Sequence, residues 1–316
     1  MITVAVDLGG TRVKLGFIEK GKLLFTSKLE ARPNRTIEES LEDVSLHVEQ
    51  LLREHSLSQN DLGGIGISFP GIVNSRANRV VSKYVKYTNA HQFDFNAWAA
   101  ARWSLPVSVE NDAHAALLGE WIYGAGKGYN SIVLLTLGTG VGSAVMLEGQ
   151  LLKGKNYLAG NLAGHLSINS DGHDCNCGFF GCLETEASTW VLPQKARRDP
   201  MYKESSLAGL EQLEFAHLFE HADQGDPLAE KLLEDCLKNW GVCAVNMVHA
   251  YDPEVIIVGG GIMKRSASII PYLQNMVDKY AWLDPGTTKI VGAQQIEYAG
   301  LLGMDYLVSK LNKGVR

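Results

Sequence analysis

The feature of this sequence that most constrains its fold is a short segment that occurs twice. Val-Ala-Val-Asp-Leu-Gly-Gly-Thr at residues 4–11 is matched by Val-Leu-Leu-Thr-Leu-Gly-Thr-Gly at residues 133–140. In each copy an apolar strand leads into a glycine-rich turn and then into a second apolar strand. Similarity of this kind within one chain indicates that the protein is built from related units. We therefore predict two similar halves that each contain this hairpin.

The segments between and after the hairpins alternate between helix and strand patterns. Apolar residues recur at helical spacing over residues 36–55, where Thr36 and Glu39 match a capping box at the start of a helix. Continuous apolar runs at residues 64–69 and 255–258 are typical of buried strands. Because helices and strands alternate along the chain, we predict an α/β fold.

The two glycine-rich turns are candidate phosphate-binding sites. Backbone N–H groups in such a turn can face an anion, and an aspartate at the end of the preceding strand can hold Mg²⁺ directly or through water. Either turn alone is also compatible with an ordinary hairpin, but two turns that converge on one cleft favour a phosphate site. The residues concerned are Asp7, Gly9, Gly10 and Thr11 in the first turn and Gly138, Thr139 and Gly140 in the second.

Two further strand ends carry residues suited to ligand binding. Glu110-Asn111-Asp112 follows a predicted strand at residues 107–109, and α/β proteins place their chemistry at the carboxyl ends of strands. Asn111 or Asp112 is equally compatible with a simple role as the cap of the next helix. Gly260 and Gly261 lie between a strand and a helix, where missing side chains allow a flat ligand or a phosphate to approach the backbone.

A cluster of sulfur and imidazole ligands points to a metal site. Three of the five cysteines, Cys175, Cys177 and Cys182, lie close together in the sequence, and His165 precedes them. Three thiolates and one imidazole form a tetrahedral set that zinc prefers in structural sites. His173 is an alternative fourth ligand.

Composition excludes several other classes of protein. The net charge is −6 and the pI is about 5.9, which gives no basic surface for nucleic acid or for an anionic membrane. No apolar run approaches the roughly 20 residues that a transmembrane helix needs. The sequence opens without a signal-peptide pattern. We therefore expect a cytoplasmic protein whose clustered cysteines bind metal rather than form disulfides.

The combined motifs resemble the ROK family of sugar kinases and sugar-responsive repressors. The resemblance rests on the segments at 7–11, 110–112, 137–142, 164–165, 175–184 and 258–262. It implies two ribonuclease-H-like domains of the actin-type ATPase fold with an interdomain cleft. The expected first domain comprises residues 1–112 and 300–316, and the expected second domain comprises residues 113–299 and carries the cysteine cluster.

The same resemblance implies roles for individual residues. Asp112 corresponds to a catalytic base that takes a proton from a hexose or N-acetylhexosamine hydroxyl as it attacks ATP. His165 corresponds to a residue that binds structural zinc and also contacts the sugar. The implied substrate-binding residues are Gly71, Asn111, Asp112, His165 and Glu184, and the implied zinc ligands are His165, Cys175, Cys177 and Cys182. The family also implies ATP with Mg²⁺ at the glycine-rich turns, adenosine near Gly260 and Gly261, and a homodimer or homotetramer.

One position departs from the family pattern. The kinases usually carry Glu-x-Gly-His, but this chain has Leu162 where that glutamate is expected. Leucine cannot accept a hydrogen bond from a sugar hydroxyl, so glucose is not the assured substrate. Three explanations are open: the substrate differs at that face, Asn161 substitutes after a local shift, or the protein is a weak kinase. The alternative function is therefore a non-catalytic sugar-binding sensor with impaired turnover. A DNA-binding repressor is not expected, because the chain opens on a strand and is acidic.

Overall fold

The computed structural model of the protein describes residues 1–10, 12–31, 35–82 and 87–314. Its strands are β1 Ile2–Leu8, β2 Arg12–Glu19, β3 Lys22–Glu30, β4 Leu62–Phe69, β5 Val73–Asn74, β6 Arg79–Val80, β7 Val107–Asn111, β8 Ile132–Leu137, β9 Val141–Leu147, β10 Gln150–Leu151, β11 Val255–Gly259 and β12 Lys289–Gly292. Its α-helices are α1 Ile37–Glu54, α2 Phe95–Trp103, α3 Asp112–Tyr123, α4 Leu183–Ala187, α5 Leu192–Arg198, α6 Phe215–Asp223, α7 Pro227–Tyr251, α8 Ser266–Tyr280 and α9 Ala299–Asn312.

These elements form two compact units. The first unit comprises Met1–Lys127, Lys153–Leu158 and Glu297–Arg316, and the second comprises Gly128–Leu152 and Ala159–Ile296. Within the described residues no helix combines the length and the apolar character that crossing a bilayer requires.

Each unit contains one five-stranded sheet, and the two sheets share a topology. The order is β3-β2-β1-β4-β7 in the first unit and β10-β9-β8-β11-β12 in the second. In both sheets a meander of antiparallel strands is followed by two strands that run parallel to the first strand of the meander. The repeated hairpin therefore opens both sheets, and the predicted α/β class is confirmed.

Helices cover both faces of the sheet in the first unit. Helix α1 begins with the predicted capping box, since Thr36 Oγ1 accepts a hydrogen bond from the backbone N–H of Glu39 and the Glu39 carboxylate accepts one from the backbone N–H of Thr36. Its apolar side chains pack with those of α2 on one face of the sheet. Apolar side chains of α3 and α9 pack on the other face.

The boundary between the units lies after α3, whereas residue 112 was the predicted end of the first segment. Helix α3 packs so closely against α9 that no side chain fits at two glycines. A β-carbon on Gly119 would lie 2.0 Å from the carbonyl oxygen of Ala299, and one on Gly303 would lie 1.9 Å from that of Ala115. This non-local contact places α3 in the first unit. The short segment Lys153–Leu158 also belongs to that unit, which was not predicted.

We expect Gly303→Ala to lower the free energy of unfolding by about 3 kcal/mol, the upper end of typical overpacking costs. The new methyl group would overlap a backbone carbonyl oxygen of α3, and backbone can yield only if the two helices separate. Urea denaturation measures the change. The matched control is Gly209→Ala, because a β-carbon there would meet nothing within 4 Å. Equal urea midpoints for the two variants would contradict this account of the helix packing.

The second unit is built around the long helix α7. Trp240 of this helix is 1% exposed, and its indole N–H donates a hydrogen bond to the carbonyl oxygen of Ala187 at 2.9 Å. Apolar side chains of α6, α7 and α8 share one core with those of β8, β9 and β11. The helix α4, which carries Glu184, is thereby anchored to the core of this unit.

Candidate functional site

Two aspartates lie at the carboxyl edge of the first unit's sheet. Strands β1, β4 and β7 run parallel, with Asp7 paired with Ser68 and Ser68 paired with Glu110. Asp112 follows β7 directly as the first residue of α3. Because parallel strands end at the same edge of a sheet, Asp7 and Asp112 belong to one group of polar side chains.

The structure resolves whether Asn111 or Asp112 caps helix α3. Asn111 is the cap, since its Oδ1 atom accepts a hydrogen bond from the backbone N–H of His114 at 3.1 Å. Asp112 Oδ1 accepts hydrogen bonds from the backbone N–H of Ala113 at 2.8 Å and from Asn111 Nδ2 at 2.9 Å. The Asp112 side chain is exposed, so one oxygen is anchored and the side chain still reaches solvent.

The surroundings of the two aspartates disfavour their charged forms. Although the Asp112 side chain keeps an exposed surface, the protein atoms crowded around it displace enough water to raise its pKa to about 6. The negative charge of Asp7 adds to this rise. Burial also raises the pKa of Asp7 and outweighs the opposing effects of Lys14 and of the hydrogen bond from Ser68. A carboxylate that titrates near neutral pH in an accessible position is suited to proton transfer.

The first glycine-rich turn has little space for side chains. A β-carbon on Gly9 would lie 2.5 Å from the carbonyl oxygen of Arg12, and the hydroxyl of Tyr87 donates a hydrogen bond to the carbonyl oxygen of Gly9 at 3.1 Å. Gly10 is half-buried. The predicted site residue Thr11 lies outside the described residues.

Gly71 is joined to the aspartate group through its backbone. Its carbonyl oxygen accepts a hydrogen bond from Asn111 Nδ2 at 3.0 Å. The same amide group contacts Asp112, so Asn111 is held between the turn at Gly71 and the carboxylate. The structure thus brings Gly71, Asn111 and Asp112 together within the first unit.

In the second unit the other glycine-rich turn is fixed by Thr189. The carbonyl oxygen of Gly138 accepts hydrogen bonds from the backbone N–H of Thr189 at 2.9 Å and from its hydroxyl at 2.8 Å. Gly138 and Thr139 line a cavity of about 770 Å³ together with Gly261. Gly260 precedes this position with a φ of +98°, and a β-carbon there would lie 2.0 Å from the carbonyl oxygen of Leu137.

The rest of this cavity comes from helix α6 and the residues after β11. The aromatic ring of Phe219 stacks under the guanidinium of Arg265 at 5.0 Å, and Arg265 forms an ion pair with Asp223. Such an apolar floor with charged groups around it suits a flat polar ligand, and its volume fits a drug-sized molecule. The lining residues not predicted from the sequence are Thr189, Glu214, Phe215, Ala216, Phe219, Glu220, Asp223, Gln224, Ile262, Lys264 and Arg265.

Four predicted metal ligands lie together in the second unit. The ligand atoms of His165, Cys175, Cys177 and Cys182 are all within 4.8 Å of one another. Cys175 Sγ lies 3.6 Å from His165 Nδ1, and Cys177 Sγ lies 3.7 Å from Cys182 Sγ. The sulfur–sulfur separation matches the ~3.8 Å expected between two sulfur ligands of a tetrahedral zinc ion with Zn–S bonds of about 2.3 Å. The sulfur–nitrogen separation is slightly shorter, as expected because Zn–N bonds are shorter than Zn–S bonds. The donor set and spacing therefore fit a zinc ion.

The alternative ligand His173 faces a different partner. Its Nδ1 atom lies 3.4 Å from Glu186 Oε1, and its backbone N–H donates a hydrogen bond to the same oxygen at 3.2 Å. His173 is not part of the group of metal-ligand side chains found among the described residues. His165 is therefore the better fourth ligand.

The metal-ligand loop and the second glycine-rich turn meet at Val141. Glu184 Oε2 accepts a hydrogen bond from the backbone N–H of Val141 at 3.1 Å. A β-carbon on Gly140 would lie 2.7 Å from that same oxygen, and one on Gly164 would lie 2.2 Å from the carbonyl oxygen of Val141. These contacts fix Glu184 and the Gly164–His165 turn against the strand that follows the glycine-rich turn.

Sequence patterns did not identify Ser68 and the residues of α6. Ser68 could have been identified, because it lies one residue before the end of the strand predicted at residues 64–69, which pairs in parallel with the strand of Asp7. Helix α6 carries no motif, and only its tertiary position brings Phe215 and Phe219 to the cavity.

Comparison with known proteins places the whole chain in one group. The model of the ROK family matches residues 3–311. The chain is 32% identical to a glucokinase of Thermotoga maritima over 314 residues, covering 97% of each chain. It is 28% identical to a beta-glucoside kinase of Listeria innocua over 97% of each chain. It also resembles the crystal structure of a ROK family glucokinase from Streptomyces griseus in complex with glucose and AMPPNP, with a TM-score of 0.80, 28% identity and coverage of 98% of this chain and 100% of the other.

Proposed function

This chain belongs to the ROK family, and from that premise we propose that it transfers the γ-phosphoryl group of ATP to a hydroxyl of a hexose or N-acetylhexosamine with Asp112 as general base. Phosphoryl transfer to sugars as such follows from family membership and from kinase relatives that align over nearly the whole chain. The observation that carries the finer assignment is the exposed Asp112 carboxylate, whose pKa is raised to about 6 beside Asp7.

The two oxygens of Asp112 have different proposed roles, one in orienting the carboxylate and the other in accepting the proton. Oδ1 is engaged by Asn111 Nδ2 and by the N–H of Ala113, which fixes the plane of the carboxylate. Oδ2 is then the atom that accepts the proton of the attacking sugar hydroxyl. Since the chemistry of phosphoryl transfer depends mainly on positioning and charge neutralisation, one oriented base is a sufficient protein contribution to nucleophile activation.

ATP would be bound by the two glycine-rich turns and the second unit's cavity. Asp7, Gly9, Gly10 and Thr11 and the group Gly138, Thr139 and Gly140 would face phosphates and Mg²⁺, and Gly260 and Gly261 would border the adenosine. When bound with ATP at these residues, Mg²⁺ would supply charge neutralisation at the transferred group. The floor formed by Phe219 and Arg265 would accept the flat base.

Sugar recognition would combine Gly71, Asn111 and Asp112 with His165 and Glu184. Oε2 of Glu184 already accepts a hydrogen bond from the backbone N–H of Val141. Oε1 is therefore the oxygen that would accept a hydrogen bond from a sugar hydroxyl. His165 would coordinate zinc through Nδ1, which lies at the cysteines, and would offer Nε2 to the sugar. A zinc ion bound by His165, Cys175, Cys177 and Cys182 would hold this loop in shape and take no part in the reaction.

Leu162 supports a second candidate, a sugar-binding sensor with impaired turnover. It is half-buried and precedes the short helical turn Ala163–His165. Without a carboxylate at this position, one sugar hydroxyl loses an acceptor, which weakens binding or changes the preferred sugar. The sensor would bind a sugar without consuming ATP.

Paired measurements of sugar binding and ADP release separate the two candidates. Wild-type protein with Mg²⁺-ATP is tested against glucose, mannose, fructose, N-acetylglucosamine and N-acetylmannosamine, and binding of each sugar is measured by calorimetry. The kinase predicts sugar-dependent ADP release that ceases when EDTA removes Mg²⁺. Sugar binding without ADP release would favour the sensor.

The pKa of Asp112 predicts a pH dependence of the reaction. Below about pH 6 the carboxyl is protonated and cannot accept the hydroxyl proton, so kcat/KM should fall about tenfold for each unit of pH below that value. Steady-state rates from about pH 5 to about pH 8 measure this fall of kcat/KM on the acid side of the pH profile. An aspartate with its ordinary pKa would leave the rate flat over that range, and a flat profile would contradict the assignment.

We also propose a cytoplasmic homodimer or homotetramer. The five cysteines all lie among the described residues and none of them forms a disulfide, which suits a reducing compartment. In the second unit the side chain of Trp282 is 96% exposed, and the exposed rings of Phe179 and Phe180 lie in contact with their centroids 4.5 Å apart. Such apolar groups are commonly covered by subunit contacts. Light scattering of the purified protein measures the oligomeric state.

A further inference from the structure

A buried carboxylate, that of Glu110, lies two residues before the proposed base Asp112. Glu110, at the end of β7, is 1% exposed. Burial alone would raise its pKa, but the hydrogen bond from His114 and the positive charge of Lys153 together lower the pKa below its ordinary value. Glu110 is therefore charged at neutral pH inside the protein. A buried charge is tolerated when it is paired and hydrogen-bonded, so these partners matter.

The two oxygens of Glu110 have different partners. Oε1 accepts hydrogen bonds from the backbone N–H of Asn111 at 3.0 Å and from His114 Nδ1 at 3.1 Å. His114 is 2% exposed, and its Nε2 atom has no hydrogen-bond partner among the described residues. The contact with Glu110 therefore fixes the ring. Through Oε1, Glu110 holds both the cap residue of α3 and the side chain one turn further on.

The second oxygen faces a cation from a distant part of the chain. Oε2 of Glu110 accepts a hydrogen bond from Lys153 Nζ at 2.6 Å, and the same ammonium donates to Ser75 Oγ at 2.6 Å. Lys153 is the first residue of Lys153–Leu158, the short segment that belongs to the first unit although its sequence neighbours belong to the second. The ammonium is partly exposed, whereas the carboxylate is not.

We propose that Lys153 is a positioning residue for phosphoryl transfer: it neutralises Glu110, and Glu110 holds Asn111 and with it the carboxylate of Asp112. The contacts form a continuous chain from Lys153 to Glu110, to the backbone of Asn111, and from the amide of Asn111 to Asp112 Oδ1. This inference rests on the proposed function, since it concerns the orientation of Asp112, the proposed general base.

Loss of the ammonium would leave a buried carboxylate without its full counter-charge. Such a group draws in water or becomes protonated, and either change disturbs the hydrogen bonds that it accepts. Asn111 and Asp112 would then be free to shift. A displacement of about 1 Å in a reacting group can cost about a hundredfold in rate, so a partial shift is enough to reduce turnover.

The test compares Lys153→Met with Lys155→Met, which removes an exposed lysine of the same segment. With the sugar that wild type phosphorylates fastest, we expect Lys153→Met to lower kcat about tenfold or more, with KM for ATP changed less than about twofold. Lys155→Met should retain wild-type kcat within about twofold. Lys153→Arg keeps the charge and the donor and should recover kcat to within about threefold of wild type. Circular dichroism establishes that each variant is folded.

A double-mutant cycle with Glu110→Gln keeps the inference testable if Lys153→Met alone does not fold, because the double variant removes both charges. We expect Lys153→Met to change kcat less than about twofold in the Glu110→Gln background. Equal losses in both backgrounds, or wild-type kcat in folded Lys153→Met, would overturn the positioning role. If wild type itself phosphorylates none of the sugars, the proposed function fails instead, and the two failures are thus distinguished.

Discussion

Asp112→Asn is expected to lower kcat by about a thousandfold, within the range that a positioned general base contributes. The amide has the shape of the carboxylate, so its oxygen can still accept the hydrogen bonds from Ala113 and Asn111 that Asp112 Oδ1 accepts. What it lacks is an oxygen able to take a proton. The fold and the affinity for ATP should therefore persist while the chemical step fails.

Steady-state kinetics of the variant, with sugar and ATP at saturation, measure this loss. Asp284→Asn is the matched control, because it makes the same chemical change at an exposed site in the second unit and should leave kcat unchanged. Calorimetry should show that Asp112→Asn still binds Mg²⁺-ATP. If the variant retained more than about a tenth of wild-type kcat, general base catalysis by Asp112 would be excluded.

Cys182→Ser is expected to remove the zinc ion and to reduce kcat/KM for the sugar about a hundredfold. The Cys182 side chain is fully buried, and its sulfur lies 3.7 Å from that of Cys177. Burial and the hydrogen bonds of Cys177 and Cys175 raise the pKa of Cys182 to about 12, so a bound cation would be needed to keep this sulfur deprotonated at neutral pH. Residues that orient a metal-supported group typically affect activity about 10–100-fold, and Cys182 directly precedes the helix that carries Glu184.

Metal analysis and sugar kinetics test this prediction together. Wild type should contain about one zinc per chain and Cys182→Ser close to none. The matched control is Cys243→Ala, which removes a buried thiol of α7 outside the cluster and should keep both the zinc and the activity. Zinc retained by Cys182→Ser, or wild type without zinc after gentle purification, would contradict the structural site.

The repeated hairpin predicted the architecture because strand pairing in a hairpin is local. Each copy forms the first two neighbouring strands of its sheet, and the strands that follow join in the same order. The capping box at Thr36 and Glu39 was also predictable from the sequence, because both residues lie within one turn of helix. The cysteine cluster was predictable for a similar reason, because three of its four ligands lie within one loop.

Features that depend on distant parts of the chain were not predictable. The placement of α3 in the first unit follows from its contact with α9, where Gly119 and Gly303 leave no room for side chains. The pairing of Lys153 with Glu110 joins two segments separated by a whole hairpin. No periodicity or spacing in one sequence reports such contacts.

The sequence also could not decide between chemistry and capping at Glu110-Asn111-Asp112. The structure separates the two roles, because Asn111 caps the helix and Asp112 is left with an exposed carboxylate. The raised pKa of Asp112 depends on the surrounding protein atoms that displace water and on the negative charge of Asp7, and Asp7 lies far from Asp112 in the sequence. A single motif therefore carries both a structural and a proposed catalytic residue.

Direct detection of the phosphorylated product tests the central claim. Wild-type protein is incubated with Mg²⁺-ATP and each hexose and N-acetylhexosamine, and the sugars are examined by mass spectrometry and phosphorus NMR. We predict that at least one sugar gains a single phosphoryl group at one hydroxyl, and that Asp112→Asn forms this product at about a thousandth of the rate. Absence of any sugar phosphate with wild-type protein that binds both the sugar and ATP would contradict the account.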